Sequence, residues 1–124
     1  MSGEKNPVHV IGRLADFPVG EMTIVDVAGV EVGVYHGTDG RLHAVRNVCP
    51  HYAAPICRGT VSGTMVPSSP GVLEYGLDEQ VLRCPWHGFE YDLTTGRSVF
   101  GTTRGRLRTY QVTVTPDDHL ELRL

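Results

Sequence analysis

The stretches Cys49-Pro50-His51 and Cys84-Pro85-Trp86-His87-Gly88 decide how this sequence is read. Each joins one thiol and one imidazole in a tight loop bearing proline or glycine, and 32 residues, 52–83, lie between them. Only folding can bring two such loops together. Two cysteines and two histidines make a four-ligand set for a metal ion or a metal cluster. In zinc fingers the cysteines usually form one pair and the histidines the other. Here each loop supplies one of each, which suits two iron atoms, with both cysteines on one and both histidines on the other. A structural zinc site with the same four ligands is the alternative. The interleaved set points to electron transfer rather than to bond-making chemistry.

Both loops resemble the cluster loops of Rieske-type ferredoxins and of the Rieske domains of aromatic-ring oxygenases, and Phe89 extends the second match. Three further runs are similar to that family. Asp16-Phe17-Pro18-Val19-Gly20-Glu21 matches the lead-in to its first hairpin, and Asp92-Leu93-Thr94-Thr95-Gly96-Arg97 the strand and turn after its second loop. Leu107-Arg108-Thr109-Tyr110-Gln111-Val112 matches its closing run. The resemblance implies one [2Fe–2S] cluster per chain, with Cys49 and Cys84 on an inner ferric iron. His51 and His87 would hold the outer iron, which changes valence. Pro50, Pro85 and Gly88 would shape the loops so that backbone N–H groups face the sulfides.

High-potential relatives carry a serine donor two residues after the second histidine, where this chain has Phe89. They carry an extra cysteine in each loop, where it has Ala54 and Trp86. They also carry a tyrosine donor four residues after that histidine, and Tyr91 fills that place. A hydrogen bond to sulfur stabilises the reduced, more negative cluster, so each donor lost lowers the potential. The expectation is a low-potential centre tuned by Tyr91, Trp86 and Phe89, in the lower part of a range of roughly −150 to +300 mV.

Composition narrows the remaining possibilities. With 124 residues, 40% of them hydrophobic, the chain is expected to be one domain with its own core. A net charge of −3 gives no sign of nucleic-acid or membrane binding. No apolar run approaches the roughly 20 residues of a spanning helix. Met1-Ser2-Gly3-Glu4-Lys5 has neither a hydrophobic signal core nor twin arginines, so a cytoplasmic protein is expected. The third cysteine, Cys57, reads as a small, partly buried residue rather than a redox switch, and no intramolecular disulfide is expected. His9, His36, His43 and His119 have no ligand-like neighbours, and no catalytic residue or phosphate loop is expected.

Apolar and β-branched runs mark strands at 8–11, 22–27, 30–35, 42–48, 110–114 and 120–124, with turns at Ala28-Gly29, Gly37-Thr38-Asp39-Gly40 and Pro116-Asp117-Asp118. No long segment has a 3.6-residue period. The expected fold class is all-β: a Rieske-type β-sandwich spanning 1–124, with a small cluster-binding subdomain at about 46–96. The gap between His51 and Cys84 is about twice the family's, which implies an insertion at about 61–80. Its Gly, Pro and Ser residues read as a lengthened hairpin with a flexible tip, either a solvated surface extension or a partner-docking arm or flap beside the cluster. After Val99 the family often has a proline-bearing loop over the cluster. Residues 100–106 hold no proline, so that cover is absent or made by this glycine-containing segment. Arg97, Arg104, Arg106 and Arg108 fall in 97–110 with no acid among them. They read as a surface for an acidic partner or as an ordinary solvated edge.

The resemblance implies a soluble Rieske ferredoxin, not itself an enzyme. It would carry single electrons from a ferredoxin reductase to a terminal oxygenase or other redox enzyme. No triad of two histidines and one carboxylate for a mononuclear iron is visible. The alternatives are the small Rieske subunit of a nitrite-reductase-type complex and a zinc-stabilised binding module.

Overall fold

A computed structural model describes residues 7–50, 53–69, 72–85, 89–99 and 105–124, with the backbone alone for 63–69 and 72–79. The chain forms two compact units: one holds the residues up to Asn47 together with Arg108–Leu124, the other Val48–Leu107. Among the described residues, regular structure is strand apart from two single-turn 3-10 helices, Leu14–Asp16 and Ile56–Arg58.

The first unit contains β1 (Val8–Arg13), β2 (Met22–Val27), β3 (Val30–His36), β4 (Leu42–Arg46), β8 (Thr109–Val114) and β9 (His119–Arg123). They make a six-stranded sheet in the order β1-β9-β8-β4-β3-β2, antiparallel throughout. Phe17, Val27, Val32, Val34, Ala44, Leu120 and Leu122 form its core. Burying each of the larger of these side chains is worth about 1.5–3 kcal/mol. The expected strand at 42–48 ends at Arg46. Asn47 turns its side-chain amide to Glu31 Oε1 at 3.1 Å and its backbone N–H to the Glu31 carbonyl at 2.9 Å.

The turns of this unit follow their residues. Ala28 and Gly29 have φ of 52° and 86°, the paired left-handed conformations of a two-residue hairpin turn whose twist suits the flanking strands. Asp26 Oδ1 accepts the Gly29 N–H at 3.0 Å. In the turn after β8, the Thr115 hydroxyl donates to Asp117, with His119 beside it, and holds that carboxyl below its ordinary value. His36 Nδ1 donates to the Phe17 carbonyl at 2.8 Å, a structural role for one of the histidines read as ordinary.

In the second unit β5 (Thr60–Ser69), β6 (Val72–Arg83) and β7 (Glu90–Asp92) form a three-stranded antiparallel sheet, with β6 in the middle. The stretch 61–80 lies within one long hairpin, paired from Thr60 opposite Arg83 to Ser69 opposite Val72. Its register shifts between Ser62 and Thr64 and between Pro67 and Ser69. Pro67 lies on the edge strand β5, where its missing N–H is tolerated. The expected tip, 70–71, lies outside the described residues. Ala54, Ile56, Cys57, Val81, Leu82, Tyr91, Leu93 and Leu107 are buried in this unit. Among the described residues no helix is long and apolar enough to cross a membrane.

Ala28 adopts a left-handed conformation that costs a residue with a Cβ roughly 1–2 kcal/mol. Asn tolerates it better, and Asn-Gly is the preferred pair for this turn. Ala28→Asn is therefore expected to raise the unfolding free energy by about 0.5–1 kcal/mol in urea denaturation.

Candidate metal centre

The second cysteine loop joins β6 to β7, and strand pairing fixes its two ends. Leu82 stands opposite Tyr91 and Arg83 opposite Glu90, so the chain leaves β6 at Cys84 and returns at Phe89. The Cys84 N–H donates to the Phe89 carbonyl at 2.8 Å and closes the loop. The first loop is closed in the same way. There the Cys49 N–H donates to the Ala54 carbonyl at 2.8 Å, and the Ala53 N–H returns to the Cys49 carbonyl at 2.8 Å. In both loops the cysteine amide bonds to the carbonyl five residues on, and each thiol stands at the head of a closed turn.

Cys49 and Cys84 are each 2% exposed, and no disulfide joins either of them. The Tyr91 hydroxyl lies 3.8 Å from Cys49 Sγ. Tyr91 is itself fully buried, held on β7 by its pairing with Leu82 and by a bridge to Ser98. Phe89 is half-buried and contributes its carbonyl to the loop closure. His51, Trp86 and His87 lie outside the described residues. Among the described residues no group of three His, Cys, Asp or Glu side chains gathers as a metal site, since two of the four candidate ligands are not among them. Cys57, expected to be partly buried, is buried in the 3-10 turn Ile56–Arg58.

Buried thiols kept out of disulfides, each heading a loop with a histidine two or three positions on, are a soft and imidazole donor set. That set fits an iron–sulfur cluster held by two cysteines and two histidines. A tyrosine hydroxyl beside one sulfur is the outer interaction that tunes such a group.

Two supports of the site were not read from the sequence. A Cβ on Gly59 would sit 1.8 Å from the Arg83 carbonyl oxygen, so only glycine lets the 3-10 turn after the first loop meet the strand end that carries Cys84. A Cβ on Gly105 would sit 2.6 Å from Pro50 Cβ, so the segment after 104 rests against the first loop. Residues 100–104, where the cover is expected to be absent or made by this segment, lie outside the described residues. A glycine in a loop was the only available signal in either case.

The sequence model of the Rieske [2Fe-2S] domain matches residues 8–111. The ferredoxin component of the naphthalene 1,2-dioxygenase system of Pseudomonas aeruginosa is 27% identical over 101 residues, covering 82% of this chain and 81% of that protein. A Mycobacterium tuberculosis protein described as an NADH-dependent nitrite reductase small subunit superposes with a TM-score of 0.73 at 21% identity. That match covers 98% of this chain and 97% of the other. The ferredoxin of carbazole 1,9a-dioxygenase from Nocardioides aromaticivorans superposes with a TM-score of 0.70 at 23% identity, covering 93% of this chain and 95% of that one. At these identities the two structural likenesses establish the fold.

Gly59→Ala drives a methyl group into the Arg83 backbone, which cannot rotate away. Overpacking against backbone should cost about 3 kcal/mol or more, and the melting temperature should fall by several degrees. Ala at Gly20, where a φ of 81° strains any Cβ but nothing lies within 4 Å, gives the cost of backbone strain without overpacking, about 1–2 kcal/mol, and Gly59→Ala should exceed it.

Proposed function

The chain belongs to the Rieske [2Fe–2S] domain family, and on that premise we propose that it is an electron carrier rather than an enzyme. It takes single electrons from a ferredoxin reductase and delivers them to a terminal oxygenase or a related redox enzyme. The naphthalene dioxygenase ferredoxin component, alike over most of both chains, supports this reading. The observation that carries it is the pair of buried, disulfide-free cysteines on two loops closed by the same hydrogen bond.

In this reading Cys49 and Cys84 bind one iron through sulfur, and His51 and His87 bind the other through one ring nitrogen. A [2Fe–2S] cluster, when bound, supplies a reversible one-electron couple. The protein's own residues set the conditions for it. Burial of both thiols excludes water from the sulfur side, and the closed loops fix where the sulfurs point. The Tyr91 O–H donates toward Cys49 Sγ, which favours added negative charge there. Phe89 offers no side-chain donor, so the potential belongs in the lower part of the family's range. Trp86 takes the place of the extra loop cysteine found in high-potential relatives. We assign the chain as a single Rieske domain with its cluster-binding part at about 46–96, an insertion at about 61–80, and a cytoplasmic site of action.

Reductive titration of the anaerobically purified protein tests the carrier reading. It should consume one electron per chain, reversibly, with bleaching of the visible absorption; no uptake, or colourless protein holding zinc, would refute it. Native mass should be that of the chain or a small oligomer. A stable large partner would favour an enzyme subunit instead.

Tyr91→Phe keeps the ring and removes the donor to Cys49. The midpoint potential should fall by about 30–60 mV, the one-electron equivalent of roughly 0.7–1.4 kcal/mol for one hydrogen bond. An unchanged midpoint would remove that hydrogen bond from the tuning of the site.

A further inference from the structure

The chain has a net charge of −3, yet in the second unit two of its arginines face each other with no ion-pair partner among the described residues. Arg97 and Arg106 form an antiparallel bridge, which sets their side chains directly opposite. Like charges in that position destabilise a β pair. The pairing is held by backbone instead: the Leu107 N–H donates to the Gly96 carbonyl at 2.7 Å, and Leu107 itself is buried. Both arginines are exposed, and among the described residues neither makes an ion pair. The nearby acids have other work. Glu90 is 2.6 Å from Arg83 Nη2, and Asp92 Oδ1 accepts the N–H groups of Thr94 and Thr95 at 2.7 and 3.2 Å.

The location gives the pair its meaning. Gly105 lies against Pro50, the residue between Cys49 and His51, so the segment that carries Arg106 abuts the first cysteine loop. A carrier's partner has to approach the cluster loops, and the exposed segment that bears this pair adjoins the first of them through Gly105. We propose that Arg97 and Arg106 form a cationic docking site, beside the first cysteine loop, for a carboxylate-bearing face of a redox partner protein. Arginine suits this role because its planar fork binds carboxylates through two parallel hydrogen bonds. A local field of this sign steers an acidic partner even though the whole chain repels it. The inference deepens the carrier reading above and rests on it.

Stopped-flow oxidation of the dithionite-reduced protein by an acidic b-type cytochrome tests the proposal, with NaCl raised from about 20 to about 500 mM. The wild-type rate constant should fall roughly tenfold as salt screens the attraction. Arg97→Gln/Arg106→Gln should lose most of that salt dependence, and Arg106→Gln alone part of it. Arg41→Glu, which changes the net charge by as much at an exposed position of the other unit, should keep it. Unchanged optical spectra and midpoint potentials in all four proteins should accompany these results. A wild-type rate that rises with salt, as the net charge alone demands, would overturn the docking site. Equal slopes in the Arg41 and Arg97/Arg106 variants would overturn it too. A colourless protein with no reducible centre would instead take down the carrier reading, and this inference with it.

Discussion

Two thiols kept out of water, each at the head of a closed turn and neither in a disulfide, form the constraint on which the second unit depends. The Cys49 and Cys84 amides each reach a carbonyl five residues on, at the same 2.8 Å, so two loops of different sequence are built to one plan. That closure removes backbone freedom before any ligand binds, which lowers the entropic cost of assembling a ligand set from separated segments. It also satisfies amide groups that would otherwise be stranded beside buried sulfur.

Strand register carries this order outward. Tyr91 reaches Cys49 only because Leu82 pairs with it, and β7 has just three residues in which to set that pairing. A one-residue slip would turn the hydroxyl to the other face of the sheet. The long β5–β6 hairpin anchors the same register from its base, where Thr60 meets Arg83 and Gly59 permits the close approach. A segment that reads as a surface extension thus also sets where the second loop begins.

Much of this was legible in the sequence. The β-branched runs around Ala28-Gly29 gave the β2–β3 hairpin nearly to the residue, because strand propensity and a two-residue turn act locally. The tyrosine donor was legible through family resemblance, and its hydroxyl lies beside Cys49 sulfur. Contacts between segments distant in sequence were not legible. Nothing local in Gly59 announces the Arg83 carbonyl, nor in Gly105 the ring of Pro50. The arginine run was visible as charge, but nothing local announces the bridge that sets Arg106 opposite Arg97. Arg104 lies outside the described residues, as do both candidate histidine ligands.

The central claim is that one chain holds two irons and two sulfides through two cysteines and two histidines. The most direct test is the EPR spectrum of the dithionite-reduced protein, taken with iron and acid-labile sulfide analysis of the same sample. Two irons and two sulfides per chain are expected, with a rhombic signal whose low average g reports imidazole on the reducible iron. A signal typical of four-cysteine ligation would contradict the histidine assignment. A silent, colourless sample with stoichiometric zinc would contradict the electron-transfer account as a whole.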